Sequence, residues 1–171
     1  MSTLEVAKVT SSDVVYDLGC GDGRIVVTSA KKGATATGFD IDPNRVAEAR
    51  GHVKAAGVES NASIRWANVF SVDLRPATVV TLYLLPELNV RLIPQLEKLR
   101  PGSRIVSHDF DMKGVKPDAV FTVTAPEFVN DEGYSGYKGE GVPEDTKHYK
   151  ERTHQIYLWT VPLKKVAPPT R

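Results

Sequence analysis

Cysteine is nearly absent from this chain: Cys20 is the one thiol in 171 residues. No intramolecular disulfide can form, which excludes a disulfide-stapled scaffold and suits a reducing, cytoplasmic setting. An excess of one charge is missing too. Lys plus Arg number 22 against 21 Asp plus Glu, so composition gives no electrostatic case for a nucleic-acid partner. No apolar run approaches the ~20 residues of a membrane-spanning helix. Met1 to Lys8 lacks the charged segment and long apolar stretch of a secretory signal. Internal repeats are absent, which excludes solenoids and propellers. Hydrophobic residues at 41% and charged residues at 25% are ordinary for a globular protein. The length suits one domain, residues 1–171, able to bury a core without a metal or disulfide staple.

The chain alternates strand and helix patterns. Val14-Val15-Tyr16 reads as a buried strand, followed by Gly19, Gly21 and Gly23 and then a helix from Arg24 to Lys32 that Gly33 stops. Ala36 to Phe39 is a second strand ending at Asp40. Asp42-Pro43 starts a helix, with Asp42 as N-cap and Val46, Ala49, Val53 and Ala56 on its buried face. Ser63 to Ala67, Thr78 to Tyr83 and Arg104 to Ser107 are further strands. Glu87 to Leu99 has helical spacing, and Pro94 inside it predicts a break there or a new short helix starting at it. Val120 to Thr124 and Gln155 to Val161 alternate like strands with no helix between them, so they predict a closing antiparallel pair. The long excursion 130–152 between them holds Tyr134, Tyr137 and Tyr149 among glycines and charges, which favours an acceptor-binding loop. Lys164 to Arg171 reads as a frayed end. The sum is an α/β fold: a Rossmann-like, mostly parallel seven-stranded sheet with helices on both faces and a C-terminal antiparallel strand pair.

Two motifs carry chemistry. Asp17-Leu18-Gly19-Cys20-Gly21-Asp22-Gly23 joins a strand to a helix, where open α/β sheets bind ligands. Its spacing differs from the dinucleotide fingerprint, and Asp17 and Asp22 would repel a pyrophosphate but suit a positively charged ligand. Cys20 reads as a small residue of this loop rather than a nucleophile, since no His neighbours it. Asp40, in Gly38-Phe39-Asp40-Ile41-Asp42, falls about 20 residues on, where a carboxylate accepts hydrogen bonds from ribose hydroxyls. A nucleoside bearing positive charge and no required phosphate describes S-adenosyl-L-methionine.

The run from Val14 to Asp42 resembles the first two motifs of the class I, seven-stranded S-adenosylmethionine-dependent methyltransferases. The resemblance implies that Gly19, Gly21 and Gly23 lie against the methionyl part and that Asp17 helps hold its amino end. It implies that Asp40 takes the ribose, that Asn68 meets the adenine amino group, and that Ile41 and Val69 sandwich the ring. Leu82-Tyr83-Leu84-Leu85-Pro86-Glu87 and Ser107-His108-Asp109-Phe110 are similar to a narrower group. These are bacterial relatives of the mitochondrial protein-lysine methyltransferases that modify the ATP synthase c-ring protein and the adenine nucleotide translocase. Methyl transfer to an amine, a protein lysine, is the function this resemblance implies; the acceptor is a protein or a small molecule.

A lysine must shed its proton before it attacks. Glu87 is the candidate to orient the ammonium or take that proton, and otherwise a first-turn helix acid. Tyr83 is the candidate to line the transfer channel, and otherwise a strand-end core aromatic. His108, beside Asp109, is a candidate base, and otherwise a hydrogen-bonded strand-end histidine. His148 and His154 flank Lys150 and Arg152, but no histidine spacing matches a known ligand pattern, so no metal is expected. A small-molecule N- or O-methyltransferase, a nicotinamide oxidoreductase and a silent adenosyl-binding module are the competing readings.

Overall fold

The computed structural model describes residues 2–129, 135–136 and 149–166. Its elements in chain order are α1 (Thr3–Val6), β1 (Val14–Leu18), α2 (Arg24–Lys31), β2 (Thr35–Asp40), α3 (Pro43–Ala55) and β3 (Ala62–Trp66). A 3-10 turn, η1 (Val69–Ser71), leads to β4 (Val79–Leu82), α4 (Pro86–Leu96), β5 (Arg104–His108) and β6 (Val115–Lys116). Then come β7 (Ala119–Val129), β8 (Ser135–Gly136), β9 (Tyr149–Thr160) and β10 (Lys164–Lys165).

The main sheet has the order β3-β2-β1-β4-β5-β9-β7-β8, with β10 and β6 forming a separate pair. From β3 to β5 all pairings are parallel; β9 is antiparallel to both β5 and β7. The seven expected strands are therefore present, and the two-residue β8 extends the β7 edge. The chain winds outward through β2 and β3 and then crosses back to β4 on the other side of β1. The carboxyl ends of β1 and β4 thus form the switch point where such sheets open a crevice.

Each face carries a core. Val15, Val26, Val46, Ala49, Val53, Ile64, Val79, Val106 and Ile156 pack together on the α2–α3 side. Leu18, Phe39, Leu82, Leu92, Leu96, Leu99, Ile105 and Trp159 pack on the α4 side. Every residue of β4 is buried, as expected of a central strand covered on both faces. Leu92 and Leu96 are fully buried, each stabilising the fold by about 1.5–3 kcal/mol.

Local signals set the element ends. Asp42 caps α3 by accepting from the Asn44 N–H at 2.8 Å, as its sequence position predicts. The short α1 has no counterpart among the expected elements, although Ser2-x-x-Glu5 makes a complete capping box. The expected break at Pro94 is not seen; α4 runs through to Leu96. Pro94 and Val90 both face solvent, so water can take the Val90 carbonyl that proline leaves without a donor. The buried Leu92 and Leu96 hold the turn together.

The closing strands are longer than their alternation predicts. Pairing extends to Phe128↔Tyr149, so 149–152 of the expected excursion belong to β9. Charged residues such as Lys150 and Arg152 make this edge segment read as loop. Tyr134, Tyr137 and His148 lie outside the described residues. Lys164–Lys165, expected as a frayed end, pair with β6 instead. Among the described residues the β3–β4 crossover contains no α-helix, only η1, although parallel crossovers usually carry one. A cavity of about 410 Å³ remains over the sheet, lined by Tyr16, Phe39, Arg65, Trp66, Val72 and Pro76 among others.

Candidate active site

The glycine loop leaves β1 at the switch point, where Leu18 pairs with both Phe39 and Leu82. Gly19, Gly21 and Gly23 have φ of +77°, +52° and +78°, the left-handed region that glycine enters without cost. Their surroundings differ. A Cβ on Gly19 would lie 2.7 Å from Leu84 Cδ2, and one on Gly23 2.9 Å from Ala49 Cβ. Those two positions are fixed by packing. A Cβ on Gly21 would meet nothing within 4 Å, so the open room lies above Gly21. The loop is clipped to β2, because the Gly19 and Cys20 N–H groups both donate to the Phe39 carbonyl, at 2.8 and 3.0 Å.

Asp40, at the end of β2, braces the same loop. Its Oδ2 accepts from Gly21 N–H at 2.9 Å and its Oδ1 from Asp42 N–H at 3.0 Å. Each oxygen keeps acceptor capacity for a further donor such as a hydroxyl. Asp40 is half-buried, so one side remains open.

Asp17 dominates the electrostatics. It is buried, and Thr81 Oγ1 donates to its Oδ1 at 2.7 Å. Burial pushes its carboxyl up to about 7; the Thr81 bond opposes that rise, while the nearby Asp22 and Asp40 charges add to it. Among the described residues no cation pairs with it. Asp22, expected to share the acidic flank, keeps a cation of its own, since Arg24 grips both its oxygens at 2.6–3.0 Å. A buried carboxylate with no cation beside it among the described residues, at the head of the same glycine loop, is an acceptor that a positive charge would complete. A cationic ligand such as an α-ammonium group fits it. The Cys20 thiol is buried and pushed up to about 12 by desolvation, with Asp17 and Asp40 adding to the rise. It stays protonated and inert, as the loop reading of this residue expects.

The third-strand side is looser. The ends of β2 and β3 adjoin, with Ala67 N–H donating to the Asp40 carbonyl at 2.9 Å. Ile41 is 66% exposed and Val69 is half-buried. Asn68 caps η1, its Oδ1 accepting from Phe70 N–H at 3.0 Å; only its second lone pair is left for an adenine amino group. Trp66 is a neighbour that no sequence motif singles out. Its ring is 67% exposed, yet its Nε1–H donates to the Ile41 carbonyl at 2.8 Å, which holds an aromatic face beside Ile41.

Beyond β4 and β5 lies an aromatic wall. The Tyr83 ring, half exposed, meets His108 edge-on at 5.0 Å and stacks near Phe110 at 5.8 Å. Glu87 is exposed in the first turn of α4. Buried Asn89 on the same helix donates to the carbonyls of Phe110 and Asp111 at 3.3 and 3.2 Å, fixing the chain beyond β5. His108 Nε2 lies 3.6 Å from Asp109 Oδ2, within ion-pair reach but longer than a hydrogen bond. Asp109 bonds His154 instead, with Oδ2 2.8 Å from Nδ1, and His108 Nε2 lies 3.1 Å from that same Nδ1. His154, on β9, is 45 residues away from Asp109 in sequence, and only the β5–β9 register brings it here.

The sequence profile of the ANTKMT methyltransferase domain matches residues 17–119. A protein-lysine N-methyltransferase of Saccharolobus islandicus is 49% identical over 123 residues, which are 70% of this chain and 76% of that protein. An adenine nucleotide translocase lysine N-methyltransferase of Mus musculus is 34% identical over 108 residues, 62% of this chain. Those residues are 47% of the mouse protein, so this chain spans about half of its length. A solved RNA methyltransferase from Salinibacter ruber, in complex with S-adenosyl-L-homocysteine, superposes with a TM-score of 0.72 at 38% identity, covering 98% of this chain and 92% of that one.

Proposed function

The chain belongs to the ANTKMT methyltransferase domain family, and on that premise we propose that it moves a methyl group from S-adenosylmethionine to the side-chain amine of a protein lysine. The observation that carries the cofactor half is Asp17: a buried carboxylate that no cation among the described residues pairs with, at the head of a glycine loop. Kinship supports the acceptor half, through the lysine methyltransferase of Saccharolobus islandicus at 49% identity. The oxidoreductase alternative falls with the family membership.

The cofactor, when bound, supplies a methyl already activated on a sulfonium, so the protein's task is positioning and exclusion of water. Asp17 would hold the amino end, Gly19, Cys20, Gly21 and Gly23 the methionyl side, and Asp40 the ribose. Ile41, Asn68 and Val69 would bound the adenine. The acceptor nitrogen must be neutral: its lone pair would form the new N–C bond as the S–C pair returned to sulfur, and the surplus proton would leave to solvent or to a carboxylate acting as base. Tyr83 and the edge of His108 would line the approach, and Glu87 at the mouth would steer an incoming ammonium. A cytoplasmic site of action belongs to this reading, supported by the single inert thiol. Among the described residues no helix is long and apolar enough to cross a membrane.

The Salinibacter ruber relative favours a second reading, an RNA acceptor. The near-zero net charge of this chain speaks against it. Incubation with radiolabelled S-adenosylmethionine and a size-fractionated cell extract separates the readings. Protease-sensitive label that yields methyllysine on acid hydrolysis is the expected result. Label that ribonuclease removes, or that stays in the small-molecule fraction, overturns the lysine assignment.

A further inference from the structure

We propose that His108, Asp109 and His154 bind one first-row divalent transition cation, zinc being the best match, at the acceptor end of the sheet. The three donor atoms form a closed triangle: His108 Nε2 to His154 Nδ1 is 3.1 Å, His154 Nδ1 to Asp109 Oδ2 is 2.8 Å, and Asp109 Oδ2 to His108 Nε2 is 3.6 Å. Ligands about 2.1 Å from a common ion stand about 3.0 Å apart at octahedral cis positions and about 3.4 Å apart in a tetrahedron. The observed edges bracket both values. A point about 2.1 Å from all three atoms exists, about 1 Å off their plane.

His154 Nδ1 lies within hydrogen-bond distance of both His108 Nε2 and Asp109 Oδ2. A cation would take a lone pair from each of the three atoms as ligands.

The surroundings suit a built site. The His154 side chain is 2% exposed, while His108 and Asp109 are 16% and 17% exposed, so the site is largely shielded from solvent. Tyr83 packs against the His108 ring. Two His and one carboxylate with a position left open for water is a ligand set that zinc accepts. Asp109 sits at φ +60°, an uncommon conformation for a residue other than glycine, and is pinned by two bonds to Gln155. Its Oδ1 accepts from Gln155 N–H at 3.0 Å, which aims Oδ2 at the histidines. Sequence spacing could not reveal the set, because its members come from the end of β5 and from β9. A cation here would tie those two strands together behind the Tyr83–His108 wall.

The inference is independent of the methyl-transfer reading, and its test uses no activity. Tag-free protein is stripped with a chelator, then titrated with Zn²⁺ by calorimetry and with Co²⁺ by visible absorption. One equivalent should bind, with the Co²⁺ spectrum of a nitrogen–oxygen site of low symmetry, and Zn²⁺ should raise the Tm. Asp109→Asn and His108→Gln should each weaken binding at least tenfold and abolish the Tm rise, while their metal-free melts show a folded protein. His154 is too buried for a clean substitution. Wild-type protein that binds no stoichiometric Zn²⁺, or folded variants that bind it as tightly as wild type, overturns the proposal.

Discussion

Replacing Asp17 by Asn tests the electrostatic core of the site in two directions at once. The carboxyl has an ordinary value of 3.8 and is pushed up to about 7, chiefly by burial. A group raised in the folded state favours folding fully at low pH and loses that contribution as pH climbs to the folded value. The window here is pH 4 to 7, with a loss of about 1.4 kcal/mol per pH unit and a total on the order of 4 kcal/mol. Asn keeps the shape and can still accept from Thr81 but carries no charge. The cofactor-free Asp17→Asn protein should therefore match wild type near pH 4 and exceed it increasingly up to pH 7, as followed by urea denaturation.

Cofactor binding runs the other way. An ammonium group selects the ionised carboxylate, so wild-type affinity for S-adenosylhomocysteine should be about tenfold lower at pH 6 than at pH 8, with proton release on binding below pH 7. Calorimetry in buffers of different ionisation enthalpy reads that release directly. Asp17→Asn should bind at least tenfold more weakly at pH 8 and lose the pH dependence. A variant that binds within twofold of wild type, or a wild-type affinity flat between pH 6 and 8, refutes the reasoning.

Three further outcomes are expected. Asp40→Ala removes the brace on Gly21 and the proposed ribose acceptor, and cofactor affinity should fall by ~30-fold or more in calorimetry, since hydrogen bonds to a charged group contribute about 1.5–3 kcal/mol; unchanged affinity removes the ribose role. Glu87→Gln should lower kcat at least fivefold with S-adenosylhomocysteine affinity unaltered, and equal turnover would leave Glu87 as a helix-start residue. Asp13 is buried and accepts from Thr10, Thr78 and the Arg104 guanidinium, contacts that outweigh its burial and hold its carboxyl below 3.8. Its contribution is present above pH 4 and lost as pH falls through the lowered value, so Asp13→Asn should cost about 2 kcal/mol at pH 7 and progressively less as the pH is taken below 4, by urea denaturation.

The missing helix between β3 and β4 shapes the site as much as the residues do. With only η1 in that crossover, Gln95 of α4 ties it down by donating to the carbonyls of Val69 and Val72 at 3.2 and 2.9 Å. The position of Val69 and Asn68 therefore depends on α4, the helix that also carries Glu87 and Asn89. The proposed adenine end and the acceptor end are mechanically joined through one element.

Whatever rests on neighbours in the chain was decided by the sequence alone. Strand–helix alternation, the Asp42 cap, the glycine loop and the acid ending β2 all follow from steric rules and hydrogen bonds that span a few residues. Tertiary structure alone decided what depends on exclusion of water and on strand register. Asp17 and Thr81 meet across 64 residues, and the packing around them raises the carboxyl. His154 reaches Asp109 because β9 runs antiparallel to β5 in the register His108↔Ile156. The passage of α4 through Pro94 was likewise settled by buried leucines rather than by local preference. Desolvation and register are properties of the assembled sheet, so no window of sequence contains them.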